Sequence, residues 1–236
     1  MSDGRWVSLF SGGKDSVGAF HRAREDGLSV DRLVTVHSEG DSYLYHVPAT
    51  ELVDLAAESI GVPVTAVEGA DVSGHDAGTR GDREIEPLER ALAELDGEFQ
   101  DGLEGVTVGA IESDYQASRV RKMCRRLGID MYAPLWQEDP VELGRWFVES
   151  GFEIRIVAVA AAGLDDSWLG RTLDTRALEE LQELHDSAGV HVLGEGGEYE
   201  TLVTDGPHMR RRIEIEYETV WDGTRGHLEI TSATLG

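Results

Sequence analysis

The sequence predicts an α/β fold: a parallel sheet sandwiched by helices, followed by a second, smaller α+β domain. Three observations carry this. Short apolar runs alternate with helical stretches of about 12 residues through the first half of the chain, the pattern of a parallel sheet covered on both faces. A polar, glycine-rich hexapeptide stands where the first strand meets the first helix. After Trp136 the texture changes to closely spaced strands with few helices.

Taken in order, Arg5–Phe10 reads as a strand, Lys14–Glu25 as a helix and Leu33–Ser38 as a second strand. Ala49–Ile60 is helical, with Leu52, Leu55, Ala56 and Ile60 on one face. Val62–Val67 is a third strand, Gly69–Gly81 a Gly- and Asp-rich loop, and Arg83–Phe99 a long helix. Val106–Ile111 reads as a fourth strand, Gln116–Leu127 as a helix and Met131–Leu135 as a fifth strand. Beyond a boundary near Glu138–Pro140, Val141–Glu149 is a helix, Glu153–Ala161 a strand and Arg176–Ala188 a helix. Val190–Leu193, Thr201–Thr204, Ile213–Val220 and His227–Ser232 read as strands. The expected domains are thus 1–138 and 139–236. Parallel sheets bind ligands beyond the carboxyl ends of their strands. The hexapeptide, His37-Ser38 and Ile111-Glu112 all leave strands at that edge, so three segments are expected to converge on one crevice.

The hexapeptide is Ser11-Gly12-Gly13-Lys14-Asp15-Ser16. Helix N-termini present unpartnered amides and favour negative charge. Two glycines allow a sharp turn and close approach of the backbone, two serines offer hydroxyls, and Lys14 offers a positive charge. Together they form a phosphate cradle. It is neither G-x-x-x-x-G-K-[ST] nor G-x-G-x-x-G. It resembles instead the S-G-G-x-D-S loop of the PP-loop ATP pyrophosphatases, which have a HUP-like fold. That resemblance implies that Ser11, Gly12, Gly13, Lys14, Asp15 and Ser16 hold the β and γ phosphates of ATP, with Asp15 placing Mg²⁺.

Composition narrows the setting. The 236 residues carry 46 acidic and 21 basic side chains, a net charge of −25, with the acids dispersed rather than gathered in a tail. Lys14 and Lys122 are the only lysines. This reads as adaptation to a salty (halophilic) cytoplasm, and it argues against nucleic acid as a partner, since that binds through clustered positive charge. A chain that nearly abandons lysine keeps one in its glycine loop, where a compact point charge differs from an arginine. The single cysteine, Cys124, excludes an intrachain disulfide and fits a reducing compartment. No apolar run is long enough to span a bilayer and no basic-then-apolar leader opens the sequence. A cytoplasmic protein is expected.

Two further stretches carry chemistry. In Gly109–Arg119 a strand end runs into a helix. Ser113 or Asp114 suits an N-cap, Gln116 and Arg119 share a helical face, and Arg119 suits an α phosphate or adenylate; a plain strand-to-helix turn with a surface arginine stands equally open. In Leu193–Thr201 three carboxylates and three glycines lie between apolar runs. This is either a solvated turn or an acidic pocket lip suited to an amine, a quaternary ammonium or a metal, a transition metal being disfavoured by the lack of His or Cys ligands. His37, His46, His75 and His191 are each acid–base candidates or, as isolated histidines more often are, structural, with His46 foremost as an acid–base group because it follows the second strand at the ligand edge. Cys124 reads as a buried small residue.

The strings "SGGKDS", "GAIESDYQASR", "APLW" and "GEGGEYETLV" occur in this order from Val7 to Pro207. With them the chain resembles the diphthine–ammonia ligase (diphthamide synthetase) family, among whose PP-loop relatives "EGGEYET" is specific. The resemblance implies ATP-dependent amidation, with ammonium, of the diphthine carboxylate on elongation factor 2, giving AMP and pyrophosphate through an acyl-adenylate. It implies Lys14, Asp15 and Glu198 as catalytic residues. Gly109, Ser113, Gln116 and Arg119 join the phosphate loop around ATP. His46, Glu195, Gly196, Gly197, Glu198, Tyr199, Glu200 and Thr201 face the substrate; by the sign of their charge, Glu195, Glu198 or Glu200 is expected to meet the cationic substrate or ammonium and not ATP. A tRNA-modifying PP-loop ligase and a non-enzymatic ATP-binding sensor stay open as alternatives. The segment after Met209 carries no motif.

Overall fold

A computed structural model describes residues 4–37, 49–70, 77–112 and 114–236. The elements run β1 (Arg5–Leu9), α1 (Lys14–Glu25), β2 (Ser29–His37), α2 (Ala49–Ile60), β3 (Val64–Glu68), α3 (Ala77–Glu98), β4 (Leu103–Thr107), α4 (Asp114–Leu127) and β5 (Asp130–Tyr132). They continue as α5 (Pro140–Glu149), β6 (Glu153–Val159), a 3₁₀ turn (Asp166–Trp168), α6 (Thr175–Ala188), β7 (Tyr199–Asp205), β8 (Ile213–Trp221) and β9 (Gly226–Leu235). Chain contacts divide these into two compact units, Met1–Ser11, Asp15–Asp41 and Val62–Trp136 in one, and Gly12–Lys14, Ser42–Gly61 and Gln137–Gly236 in the other.

In the first unit five strands pair in parallel in the order β3-β2-β1-β4-β5. Val7, Val34, Val67 and Val106 of the sheet pack with Leu88, Leu92 and Leu95 of α3 and with Ala117, Val120, Met123 and Cys124 of α4. The helical contributors recur every three or four residues, the spacing that gives each helix one apolar stripe. Val17, Ala19, Phe20 and Ala23 of α1 are buried as well. Strand order reverses at the β1–β4 pair, the switch point at which sheets of this kind open to ligands. The chain leaves β1 there into Ser11–Ser16 and leaves β4 into residues 108–112.

The second unit holds an antiparallel sheet in the order β7-β6-β9-β8. Asp139 caps α5, accepting the N–H groups of Val141 and Glu142 at 3.0 Å each, with Pro140 opening the helix. Such capping satisfies amides that the first turn leaves unpaired. Asp174 caps α6 through the Ala177 N–H at 2.8 Å. Helix α2 is tied to the segment before β8, the backbone of Arg211 bonding the Ser59 hydroxyl.

The α/β class and the parallel sheet agree with the sequence reading; several boundaries do not. β4 lies at Leu103–Thr107 instead of Val106–Ile111. Asp96 accepts the Leu103 N–H at 2.7 Å, and Leu103 pairs with Arg5, so pairing begins earlier than apolarity alone suggests. β5 is Asp130–Tyr132, and Ala133–Leu135 turns away from the sheet. α3 begins at Ala77, inside the expected loop Gly69–Gly81. Val190–Leu193 is not a strand: its amides serve turns and side chains. β7 begins at Tyr199, so Tyr199, Glu200 and Thr201 belong to a strand and only the residues before them to the acidic loop.

Candidate active site

Strand β1 ends as the Phe10 N–H donates to the Val34 carbonyl at 2.9 Å. The chain then closes on itself. The Ser11 N–H donates to the Ser16 hydroxyl at 3.1 Å, and the two hydroxyls lie 3.2 Å apart. Gly12 makes this possible with a left-handed φ of 81°, which a side chain disfavours. Beneath the loop, Thr107 of β4 donates to Ser8 of β1 at 2.8 Å, a buried hydroxyl pair across the switch-point strands. Asp15 stands in the first turn of α1, where the helix dipole favours its charge.

Gly109, expected beside the nucleotide, has a steric reason to be glycine. A Cβ there would lie 2.5 Å from the Asp15 carbonyl carbon, 2.6 Å from its oxygen and 2.7 Å from the Ser16 nitrogen. The chain leaving β4 therefore rests directly on the backbone that opens α1.

Gly12–Lys14 group with the second unit through β7. The Val203 N–H donates to the Gly12 carbonyl at 2.9 Å, and the Lys14 N–H donates to the Thr201 hydroxyl at 3.2 Å. The Lys14 side chain is buried, 4% exposed. Its Nζ lies 4.0 Å from Glu195 Oε1 and 5.8 Å from the centre of the Tyr199 ring, a pairing of ammonium with carboxylate and with an aromatic face. Two motifs nearly two hundred residues apart thus meet on one lysine.

The acidic loop is highly organised. Glu198 Oε1 accepts the His191 N–H at 3.0 Å and Oε2 the Gly196 N–H at 2.8 Å. His191 Nδ1 accepts the N–H groups of Leu193 at 3.1 Å and Glu195 at 3.3 Å. The Gly197 N–H donates to the Gly194 carbonyl at 3.0 Å. The Tyr199 hydroxyl donates to the Val192 carbonyl at 2.6 Å. Of the three carboxylates, Glu195 lies against Lys14, Glu198 is turned onto backbone amides, and Glu200 is exposed on β7.

Arg119 is half-buried on α4. His46, His75 and Ser113 lie outside the described residues, as does the side chain of Gln116. His37 ends β2. No group of three or more His, Cys, Asp or Glu side chains that could hold a metal ion occurs among the described residues, and no described helix is long and apolar enough to cross a membrane. Sequence reasoning missed His191 as a loop organiser, Thr201 as the partner of the Lys14 amide, and the Ser8–Thr107 pair. Alternation around exposed Glu200, which sets Tyr199 and Thr201 on one face of a strand, is the signal that points to Thr201.

Residues 4–131 match the diphthamide synthase N-terminal domain and residues 139–235 the diphthamide synthase C-terminal domain. The diphthine–ammonia ligase of Danio rerio is 38% identical over 224 residues, covering 90% of this chain and 86% of that one. The Homo sapiens protein of the same name is 36% identical over 229 residues, covering 92% and 84%. A solved structure, described as a predicted subunit of tRNA methyltransferase from Methanocaldococcus jannaschii, shares 17% identity at a TM-score of 0.46, covering 85% of this chain and 96% of that one. That likeness is too distant to bear on function. Matched across both halves and along most of its relatives' length, the chain belongs to the diphthamide synthase family.

Proposed function

We propose that this chain is an ATP-dependent C–N ligase that amidates the diphthine carboxylate of elongation factor 2 with ammonium, releasing AMP and pyrophosphate. The observation that carries the reading is the meeting on Lys14 of the phosphate-type loop and the acidic motif that distinguishes this family from other PP-loop proteins.

A carboxylate is a poor electrophile. Its oxygen attacks the α phosphorus of ATP and pyrophosphate departs, leaving an acyl-adenylate. Ammonia then attacks the acyl carbon, AMP leaves with the electron pair of the C–O bond, and the nitrogen sheds a proton. The protein's work is to position the partners and neutralise phosphate charge. Ser11–Ser16 offer amides and hydroxyls to the β and γ phosphates, and Lys14 supplies the positive charge. Residues 1–138 are read as the ATP-binding domain, with Gly109, Ser113, Gln116 and Arg119 around the nucleotide, and 139–236 as the substrate-binding domain. His46, residues 195–197 and residues 199–201 are read on the substrate side, where exposed Glu200 suits a trimethylammonium group.

Mg²⁺ prefers one or two carboxylates and completes its shell with substrate phosphates and water. A lone carboxylate at the head of α1, Asp15, fits that habit. Bound there, the ion would supply charge neutralisation at the phosphates.

The test is direct. Diphthine-bearing elongation factor 2, ATP and ammonium are incubated with the protein, and AMP, pyrophosphate and the mass of the modified histidine are followed. Amide formation that requires ammonium is expected. Lys14→Ala or Asp15→Ala should abolish AMP formation without unfolding the chain. Near-normal turnover in either variant would refute the assignment, and pyrophosphate release indifferent to ammonium would point to another PP-loop reaction.

A further inference from the structure

We propose that His191 and Glu198 are positioning residues, which fold the segment 191–197 into the shape that carries Glu195 to Lys14, and that neither touches substrate. The proposal rests on the functional reading above only where it speaks of turnover.

The argument is an accounting of amides. The segment lies outside helix and strand, with Val192 and Leu193 buried, and its backbone N–H groups find partners in side chains and turns instead of a ladder. Glu198 takes the N–H groups of His191 and Gly196, one on each carboxylate oxygen. His191 Nδ1 takes those of Leu193 and Glu195. The Gly194 N–H donates to the His191 carbonyl and that of Gly197 to the Gly194 carbonyl, both at 3.0 Å. Two side chains thus engage four amides of a stretch that has no ladder to engage them.

The chemistry of these groups limits what else they do. An imidazole nitrogen that accepts two N–H groups carries no proton, so the ring hydrogen of His191 sits on Nε2. A carboxylate with each oxygen on a backbone amide is oriented by the loop it braces. Glu195 is the residue so delivered. Its amide is tied to His191, and its carboxylate lies 4.0 Å from Lys14 Nζ. Tyr199, whose hydroxyl closes the base of the loop on Val192, presents its ring to the same ammonium. The carboxylate of this motif that faces the phosphate-loop lysine is therefore Glu195, and Glu198 acts through it.

The lysine content supplies a readout independent of catalysis. Lys14 and Lys122 are the only lysines; Lys14 is 4% exposed, and Lys122 is exposed on α4. Acylation by an amine-reactive reagent, followed by mass spectrometry, reads the accessibility of Lys14 against Lys122 as internal reference. Four variants are compared: His191→Asn, whose side-chain oxygen can replace Nδ1 as acceptor, His191→Leu, which has no acceptor, Glu198→Ala and Glu198→Gln. The Leu and Ala variants should raise Lys14 labelling by about ten-fold or more, as the loop opens locally, while His191→Asn stays within about two-fold of the parent protein. In AMP formation, His191→Asn should keep the parent KM for ATP, and His191→Leu and Glu198→Ala should raise it. Should Glu198→Ala fail to fold, Glu198→Gln, which keeps one acceptor oxygen, replaces it and should give an intermediate increase.

Labelling unchanged in all folded variants overturns the proposal. So does a His191→Asn protein that keeps Lys14 protected but is as inactive as His191→Leu, since the ring itself would then serve the reaction. A parent protein that forms no AMP from diphthine overturns the functional reading instead, and the labelling still decides the role of the brace.

Discussion

Gly109→Ala isolates the contact between the chain leaving β4 and the phosphate loop. The new methyl carbon would lie 2.5 Å from the Asp15 carbonyl carbon, against 3.4 Å for the near limit of ordinary contact, so the two backbones must part by about 0.9 Å. All three nearest atoms belong to backbone, so no side chain can swing aside. The φ of Gly109 is not left-handed, so the substitution adds steric crowding without left-handed backbone strain. Overpacking of this kind costs about 1–3 kcal/mol, which a domain stable by about 5–15 kcal/mol survives. A displacement of about 1 Å at reacting groups costs on the order of 10²-fold in rate. The variant should therefore melt lower but cooperatively, and release pyrophosphate about a hundred-fold more slowly. Gly97→Ala is the control: it lies in α3 with nothing within 4 Å, and should gain up to about 1 kcal/mol of stability with activity unchanged. Pyrophosphate release from Gly109→Ala at the parent rate would refute the claim that this close approach positions the loop.

Other perturbations test the molecule elsewhere. With a net charge of −25, the melting temperature should climb from low to molar KCl as the screening length falls from about 10 Å at 0.1 M to about 3 Å at 1 M; a flat or falling curve removes the halophilic reading. Cys124 is 2% exposed, and burial pushes its thiol up to about 11, so it should ignore a maleimide at pH 8 until denaturant exposes it; prompt labelling of the native protein would contradict its place in the core. Hydrogen bonds from Arg171 and then Arg176 hold the Glu180 carboxyl down at about 2, from an ordinary 4.5. A depressed carboxyl stabilises the fold above its unfolded value, and that contribution is lost as pH falls from about 4.5 through about 2. The difference in melting temperature between the parent and Glu180→Gln should shrink across that window, and a difference independent of pH would show that the ion pairs do not matter.

What the sequence determined by itself is local. Strand, SGGKDS loop and helix are contiguous, so the turn chemistry of Gly12, the hydroxyls of Ser11 and Ser16 and the helix beginning at Lys14 follow from neighbouring residues. The apolar face of α2, where Leu52, Ala56 and Ile60 are buried, was legible for the same reason, because helical period is a property of one segment. The tertiary structure decided what depends on register and long-range contact. Apolarity placed β4 three residues late, since Val108, Ala110 and Ile111 are buried without being paired as strand, whereas Leu103 is pinned by Asp96 and Arg5. The acidic motif showed its charges but not their assignments: nothing in the order of Glu195, Glu198 and Glu200 tells which lies by Lys14, which takes backbone amides and which stands exposed on β7. Those assignments come from the left-handed glycines of the loop and from β7 lying where Thr201 meets an amide 187 residues away. A hydrogen bond of that span exists only once two sequence-distant surfaces have packed, and no local preference encodes it.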